Sequence, residues 1–248
     1  MSRNPLTVFA TGAASGIGAA TVRALCARGD TVFVADRDEA GANRVAEELG
    51  SGAHAITMDV RDASSVAKAF ADAASIAGKL DAICANAGVT VQERPLEELP
   101  EEDLRLVIDI NLAGAIRTLS AGLPHLRDGG AIVLTSSTSG IVAHPLAGAY
   151  AATKLGLVGL QRSLVAELAP RRIRVNAVCP GAVDTPLVRS TYPVDTDQVI
   201  ADAAAVNPLG RIAQPEDVAE AICFLIDARH VNGVALRVDG GESVCVFP

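Results

Sequence analysis

The 248-residue chain has no tryptophan, two tyrosines and five phenylalanines. With so few aromatic rings, a core must be assembled from Val, Leu, Ile and Ala. The supply is ample, since half of the residues are hydrophobic and a fifth are charged, a globular and not a disordered composition. Lysine is nearly absent, with Lys68, Lys79 and Lys154 against a basic complement that is otherwise Arg. Basic charge is also in deficit. The net charge is −8 and the pI is near 5, which disfavours nucleic acid or an anionic membrane surface as main partner. No apolar run approaches a membrane span, and "MSRNPLTVFATG" at the N-terminus lacks the hydrophobic region of a signal peptide. The five cysteines (26, 84, 179, 223 and 245) form no C-x-x-C pair and read as buried free thiols in a reducing cytoplasm. His54, His125, His144 and His230 are scattered, so no metal site is expected.

What is present is an alternation. Short β-branched runs at 6–11, 31–36, 53–60, 79–88, 130–137, 172–181 and 233–241 read as strands. Between them, 16–29, 38–50, 64–78, 101–127, 149–169 and 215–228 read as helices, with an irregular segment at about 184–214. Apolar strands alternating with helices predict an α/β fold: one domain over 1–248, with a doubly wound, Rossmann-like parallel sheet of about seven strands covered on both faces. There are no repeats and no low-complexity linkers.

The turn after the first strand, "ATGAASGIGAA" (10–20), places Gly12, Gly16 and Gly18 before a helix. Glycine lets a backbone approach a diphosphate, and the helix N-terminus offers free N–H groups. The second strand ends at Asp36, which can bond both hydroxyls of an adenosine ribose and would repel a 2′-phosphate. Asp36 could instead cap the next helix, although Asp38 is available for that. Ser15 stands where a basic residue would assist a 2′-phosphate. Arg37 leaves NADP partly open, and the balance favours NAD.

In "AYAATKLG" (149–156), Tyr150 and Lys154 lie four apart on one helix face. A phenol is a poor base near neutral pH, but an adjacent ammonium stabilises the phenolate. The pair can take a proton from an alcohol or return one to a carbonyl. Lysine in so apolar a segment is expected to be covered. Upstream, "VLTSSTSG" (133–140) ends a buried strand, and a serine there can bond a substrate oxygen.

Together these stretches resemble the short-chain dehydrogenase/reductase family over essentially the whole chain. The cofactor turn matches from Thr11 to Gly18, including Ser15, Gly16 and Ile17. Asp59-Val60 resembles the adenine contact. "ANAG" (85–88) retains Asn86 and Gly88 but has Ala85 for the first Asn. "DINLAGA" supplies Asn111, and Ser137 stands thirteen residues before Tyr150. "NAVCPGAVDTPL" (176–187) resembles the nicotinamide-holding segment through Pro180, Gly181, Val183 and Thr185. The resemblance implies roles: Tyr150 as general acid/base, Lys154 lowering its pKa and holding the nicotinamide ribose, Ser137 polarising the substrate oxygen. Asn111, in a distorted helical turn, would hold a water relaying protons from Lys154. It also implies a homotetramer or dimer, for which the apolar breadth of helix 149–169 leaves room. Ala85 is expected to cause local repacking. "FLIDARHVNG" (224–233) is two residues shorter than the family's usual connection there.

Substrate choice is assigned to a short lid at 184–210 and loops at 89–96 and 138–148, where Gln92 and His144 are candidate substrate contacts beside Ser137 and Tyr150. Few aromatics in the 184–210 segment argue against a large steroid or polycyclic substrate, and the expected substrate is a small or medium secondary alcohol, polyol or hydroxy acid. The readings are an NAD-dependent alcohol/ketone oxidoreductase, an NADPH-dependent ketoacyl-thioester reductase, and a non-catalytic NAD-binding regulator. Asp36 and Ser15 oppose the second, and the intact Asn111, Ser137, Tyr150 and Lys154 set opposes the third.

Overall fold

The computed structural model describes residues 4–191, 194 and 196–245. Its strands are β1 (Thr7–Thr11), β2 (Thr31–Asp36), β3 (Ala53–Thr57), β4 (Leu80–Ala85), β5 (Leu126–Thr135), β6 (Arg174–Pro180) and β7 (Ala235–Val238). They form one sheet in the order β3-β2-β1-β4-β5-β6-β7, every pair parallel. The chain winds outward from β1 to β3, then returns to β4 beside β1 and winds the other way. The ends of β1 and β4 therefore diverge into a crevice at the switch point.

Alternation along the strands sorts side chains between two layers. Val8, Ala10, Val32 and Val34 face α1 (Gly16–Ala27), α2 (Glu39–Leu49) and α9 (Pro215–Asp227). Phe9 and Phe33 face α3 (Ala63–Ala77), α5 (Ala115–Gly122) and α6 (Gly148–Leu168). The scarce aromatics are concentrated there. Phe9 stacks on Phe70 at 4.2 Å and on Phe33 at 6.1 Å between ring centroids. Burying each ring contributes roughly 1.5–3 kcal/mol. Helix starts follow local chemistry. Asp38 caps α2 by accepting from Gly41 N at 3.0 Å, and Asp62 caps α3 through Ser64 N and Ser65 N. Pro215 opens α9 inside a Gln214/Asp217 capping box.

Four expectations change. The helix expected over 101–127 is α4 (Glu101–Val107), a π-helical turn (Ile108–Gly114), α5 and a 3₁₀ turn (Leu123–His125). As one apolar helical stretch, Glu101–His125 is long enough to cross a membrane, contrary to the expectation that no run approaches that length. Its inner face, including Val107, Ile110 and Leu119, packs within the protein. The segment expected to be irregular contains α7 (Pro186–Thr191) and α8 (Thr196–Val206); Tyr192, Pro193 and Asp195 of the 184–210 segment lie outside the described residues. Strand β5 begins at Leu126, not 130, because Leu126 pairs with Leu80 across a register irregularity. Ala85 is buried in the core at the end of β4.

Candidate active site

A cleft of about 500 Å³ opens at the C-terminal ends of β1, β2, β4, β5 and β6. The glycine turn forms its floor. Gly12 has φ +64°, and a side chain at Gly18 would put Cβ 2.1 Å from the Gly12 carbonyl oxygen. Neither position accepts a larger residue without backbone movement, so the turn lies flat beneath Gly12, Ser15, Gly16 and Ile17, which line the cleft. Gly18 supports them from behind. Asn86 locks the turn to the next strand: its side-chain amide donates to Thr11 O (3.1 Å) and Gly12 O (3.2 Å). Thr11 Oγ1 accepts from Asn86 N and Ala87 N. This backbone cradle with a helix start behind it fits a dinucleotide diphosphate.

Asp36 stands at the cleft wall, and helix capping falls to Asp38. Its carboxylate accepts from Ala14 N and from Asp38 N, each at 3.0 Å. Each carboxylate oxygen still has a lone pair for a ribose hydroxyl. Arg37 beside it is exposed. Asp59 and Val60 line the same end of the cleft. Asp59 pairs with Arg61 at 2.6 Å, and that contact holds its carboxyl below the ordinary range. Gly114 leaves space for Val60, since a Cβ there would lie 2.8 Å from it.

At the other end are Ser137, Tyr150 and Lys154. Lys154 is only 4% exposed, whereas Lys68 and Lys79 are on the surface. Its Nζ donates to Thr135 O at 2.9 Å and lies 5.5 Å from the Tyr150 ring centroid. Ser136 Oγ donates to Lys154 O at 2.8 Å, which pins α6 to the end of β5. Gly88 lets the β4 loop pass, because a Cβ would sit 3.3 Å from Lys154 Nζ. Burial pushes Lys154 down to about 8. Burial also pushes the Tyr150 phenol above its ordinary value, and a hydrogen bond from Ser137 pulls the other way. Desolvation is the larger influence on Tyr150 here, and the Lys154 ammonium lies over the ring with its bond to Thr135 O.

Asn111 falls within the π-helical turn, fully buried, as the distorted-turn expectation required. Its side-chain amide is engaged within the protein. Oδ1 accepts from Val89 N at 2.7 Å, while Nδ2 donates to Val89 O (2.8 Å) and Thr153 Oγ1 (3.3 Å). The amide clamps the loop after β4 against α6 and does not line the cleft. Pro180, Gly181, Val183 and Thr185 line the cleft after β6 as expected, together with Leu187 and Val188 of α7, which sequence reading missed. Gln92 and His144 do not line it. Gln92 Oε1 faces Arg94 at 3.4 Å in a small neighbouring recess that includes Tyr150. His144 reaches the site only through Ser139, whose Oγ lies 2.7 Å from His144 Nδ1. Among the described residues no group of His, Cys, Asp and Glu is arranged to hold a metal ion.

Comparison with known proteins agrees with this geometry. A family model described as Enoyl-(Acyl carrier protein) reductase matches residues 12–243. Cis-4-hydroxycyclohexanecarboxylate dehydrogenase of Sinomonas cyclohexanicum is 45% identical over 238 residues, covering 93% of this chain and 94% of that protein. The crystal structure of levodione reductase superposes with a TM-score of 0.93 at 29% identity, over 98% of this chain and all of that one. A 3-ketoacyl-(acyl-carrier-protein) reductase from Brucella melitensis complexed with NADH gives a TM-score of 0.89 at 34% identity, over 96% and 98% of the two chains. The chain belongs to the short-chain dehydrogenase/reductase family and is a nicotinamide-cofactor-dependent oxidoreductase acting on CH–OH groups.

Proposed function

We propose that the protein interconverts a small or medium alicyclic secondary alcohol and its ketone, using NAD in preference to NADP. The observation that carries the chemistry is the grouping of buried Ser137 and Lys154 with half-buried Tyr150 beside the end of β5. Support for the ring comes from the dehydrogenase of a hydroxycyclohexane acid and the levodione reductase similar to this chain. Support for NAD comes from the Asp36 carboxylate at the cleft wall and from exposed Ser15 in the position that would serve a phosphate.

Bound along the cleft, a nicotinamide dinucleotide supplies or accepts the hydride. The protein's residues handle the proton. In reduction, the Tyr150 hydroxyl donates its proton to the carbonyl oxygen, and Ser137 bonds the same oxygen as charge develops on it. In oxidation, the Tyr150 phenolate takes the proton of the alcohol. Lys154, still mostly protonated at neutral pH, stabilises that phenolate and bonds the ribose on the nicotinamide side. The elevated phenol keeps Tyr150 protonated in the free protein, so the proton donor is populated and the phenolate that oxidation needs is scarce. Oxidation should therefore gain with rising pH and reduction should lose.

A second reading, a ketoacyl-thioester reductase, has the 3-ketoacyl-(acyl-carrier-protein) reductase likeness in its favour. The net charge of −8 opposes docking of an acidic carrier. A cytoplasmic homotetramer or dimer is part of the proposal. It is supported by the free thiols of all five cysteines and by exposed apolar residues on α5 and α6, among them Ile116 and Leu155. We assign the 184–210 segment to the substrate side as a lid: α7 contributes cleft wall, and Asn207 anchors the far end on Asp239 O at 2.8 Å.

The test is a panel of cyclic secondary alcohols, cyclic ketones and a ketoacyl thioester with NAD(H) or NADP(H), read by reduced-cofactor absorbance. Turnover of cyclic alcohols with NAD is the expected result. Turnover confined to the thioester with NADPH would replace this reading with the second.

A further inference from the structure

A chain of polar contacts leaves the active site away from the cleft. Ser137 Oγ donates to Ser139 Oγ at 3.3 Å and accepts from Ser139 N at 3.1 Å. Ser139 Oγ meets His144 Nδ1 at 2.7 Å, and His144 Nε2 meets Glu93 Oε1 at 3.1 Å. Ser137 and Ser139 are buried, while the His144 side chain is 44% exposed. The hydroxyl expected to polarise the substrate is thus tied, through two residues, to an imidazole in contact with solvent.

The direction of these bonds follows from donor and acceptor chemistry. A carboxylate only accepts, so His144 Nε2 carries a proton toward Glu93. In the neutral imidazole, Nδ1 is then the acceptor. Ser139 must donate to it, which leaves Ser139 Oγ to accept from Ser137. The single Ser137 proton is then spent on Ser139 and withdrawn from Tyr150 and the cleft. In the imidazolium, Nδ1 carries a proton and donates to Ser139 Oγ. Ser139 can then donate to Ser137, and the Ser137 proton is released toward the substrate oxygen. A ketone oxygen needs that donor, and an alcohol O–H needs the acceptor that the other arrangement leaves.

We propose that His144, held by Glu93, is a positioning residue that sets through Ser139 whether Ser137 donates to or accepts from the substrate oxygen. The inference rests on the reading above that Ser137 meets that oxygen. Two carboxylates bear on His144, Glu93 from the loop after β4 and Glu242 from the C-terminal segment. The Glu93 hydrogen bond raises the imidazole above its ordinary value, and partial burial opposes it. The imidazolium is therefore populated closer to neutrality than in an isolated histidine.

The test is kcat/KM for reduction of one ketone and oxidation of its alcohol, from about pH 5.5 to about pH 9, the range of histidine titration. The proteins are the wild type, His144→Gln, Ser139→Ala and Ser137→Ala, with the His144 titration followed by NMR. Wild-type reduction should fall through a step at the NMR midpoint of His144. His144→Gln and Ser139→Ala should each lose that step and reduce about fivefold more slowly below it, the effect of one hydrogen bond. Oxidation should be nearly unaffected below the midpoint in the same variants. Ser137→Ala should be slow at every pH. A wild-type pH profile in His144→Gln, or a uniform loss with unchanged profile, overturns the positioning role. Full activity in Ser137→Ala overturns the reading on which it rests.

Discussion

The two halves of the cleft are built differently. Under β1 and β2, the surface is backbone held by a few side chains: a glycine turn, two backbone amides on the Asp36 carboxylate, and the Asn86 and Thr11 side chains tying β4 to β1. Beyond β6, the surface is side chains on short helices, with α8 contributing no buried residue. A diphosphate and ribose have one shape, so their half can be rigid and specified by a few residue types. Leu187 and Val188 on α7 line the cleft beside loop residues, and on the proposed function substrate choice falls to this half, which can change without disturbing the sheet.

Gly18→Ala should break the rigid half most severely. Its Cβ would sit 2.1 Å from Gly12 O and 2.8 Å from Asn86 Nδ2, so the turn must move. We expect roughly 3 kcal/mol lower stability in chemical denaturation and at least a tenfold loss of NAD affinity by titration calorimetry. Lys154, where the halves meet, gives the next effect. A buried ammonium pushed down to about 8 costs stability in full below that pH, and the cost fades as pH rises toward the unfolded lysine's value. The stability of Lys154→Met relative to wild type should thus decline by about 3 kcal/mol between about pH 7 and about pH 10. A pH-independent difference between the two unfolding curves would refute a strongly shifted Lys154. Asp36→Asn comes third: removing a like charge should raise the NADP/NAD ratio of kcat/KM roughly tenfold. The smallest effect belongs to the other half. Leu187→Ala should alter KM for the alcohol a few-fold and leave stability within about 0.5 kcal/mol.

The same contrast explains what could be read from the sequence. The cofactor half was legible because Gly12, Gly16, Gly18 and Asp36 act through local backbone geometry, which residue type and order encode. Tyr150 and Lys154 were legible because four residues on a helix make one face. The π-helical turn at 108–114 was not visible in the apolar pattern, since a distortion confined to seven residues is too short to set a period of its own. The substrate half resisted for a related reason. Helix α8 buries nothing, so its Ala-rich run carries no strong amphipathic signature. His144 was singled out as a substrate contact, yet it meets Ser139 across a loop, and such a contact depends on the fold of the whole loop.

The central claim is that Tyr150 moves the proton and the glycine half binds the cofactor independently of it. The most direct measurement pairs NADH binding with turnover in Tyr150→Phe. NADH affinity within about twofold of wild type, with turnover reduced by roughly a thousandfold or more, is the predicted result. Turnover near the wild-type rate would contradict the account.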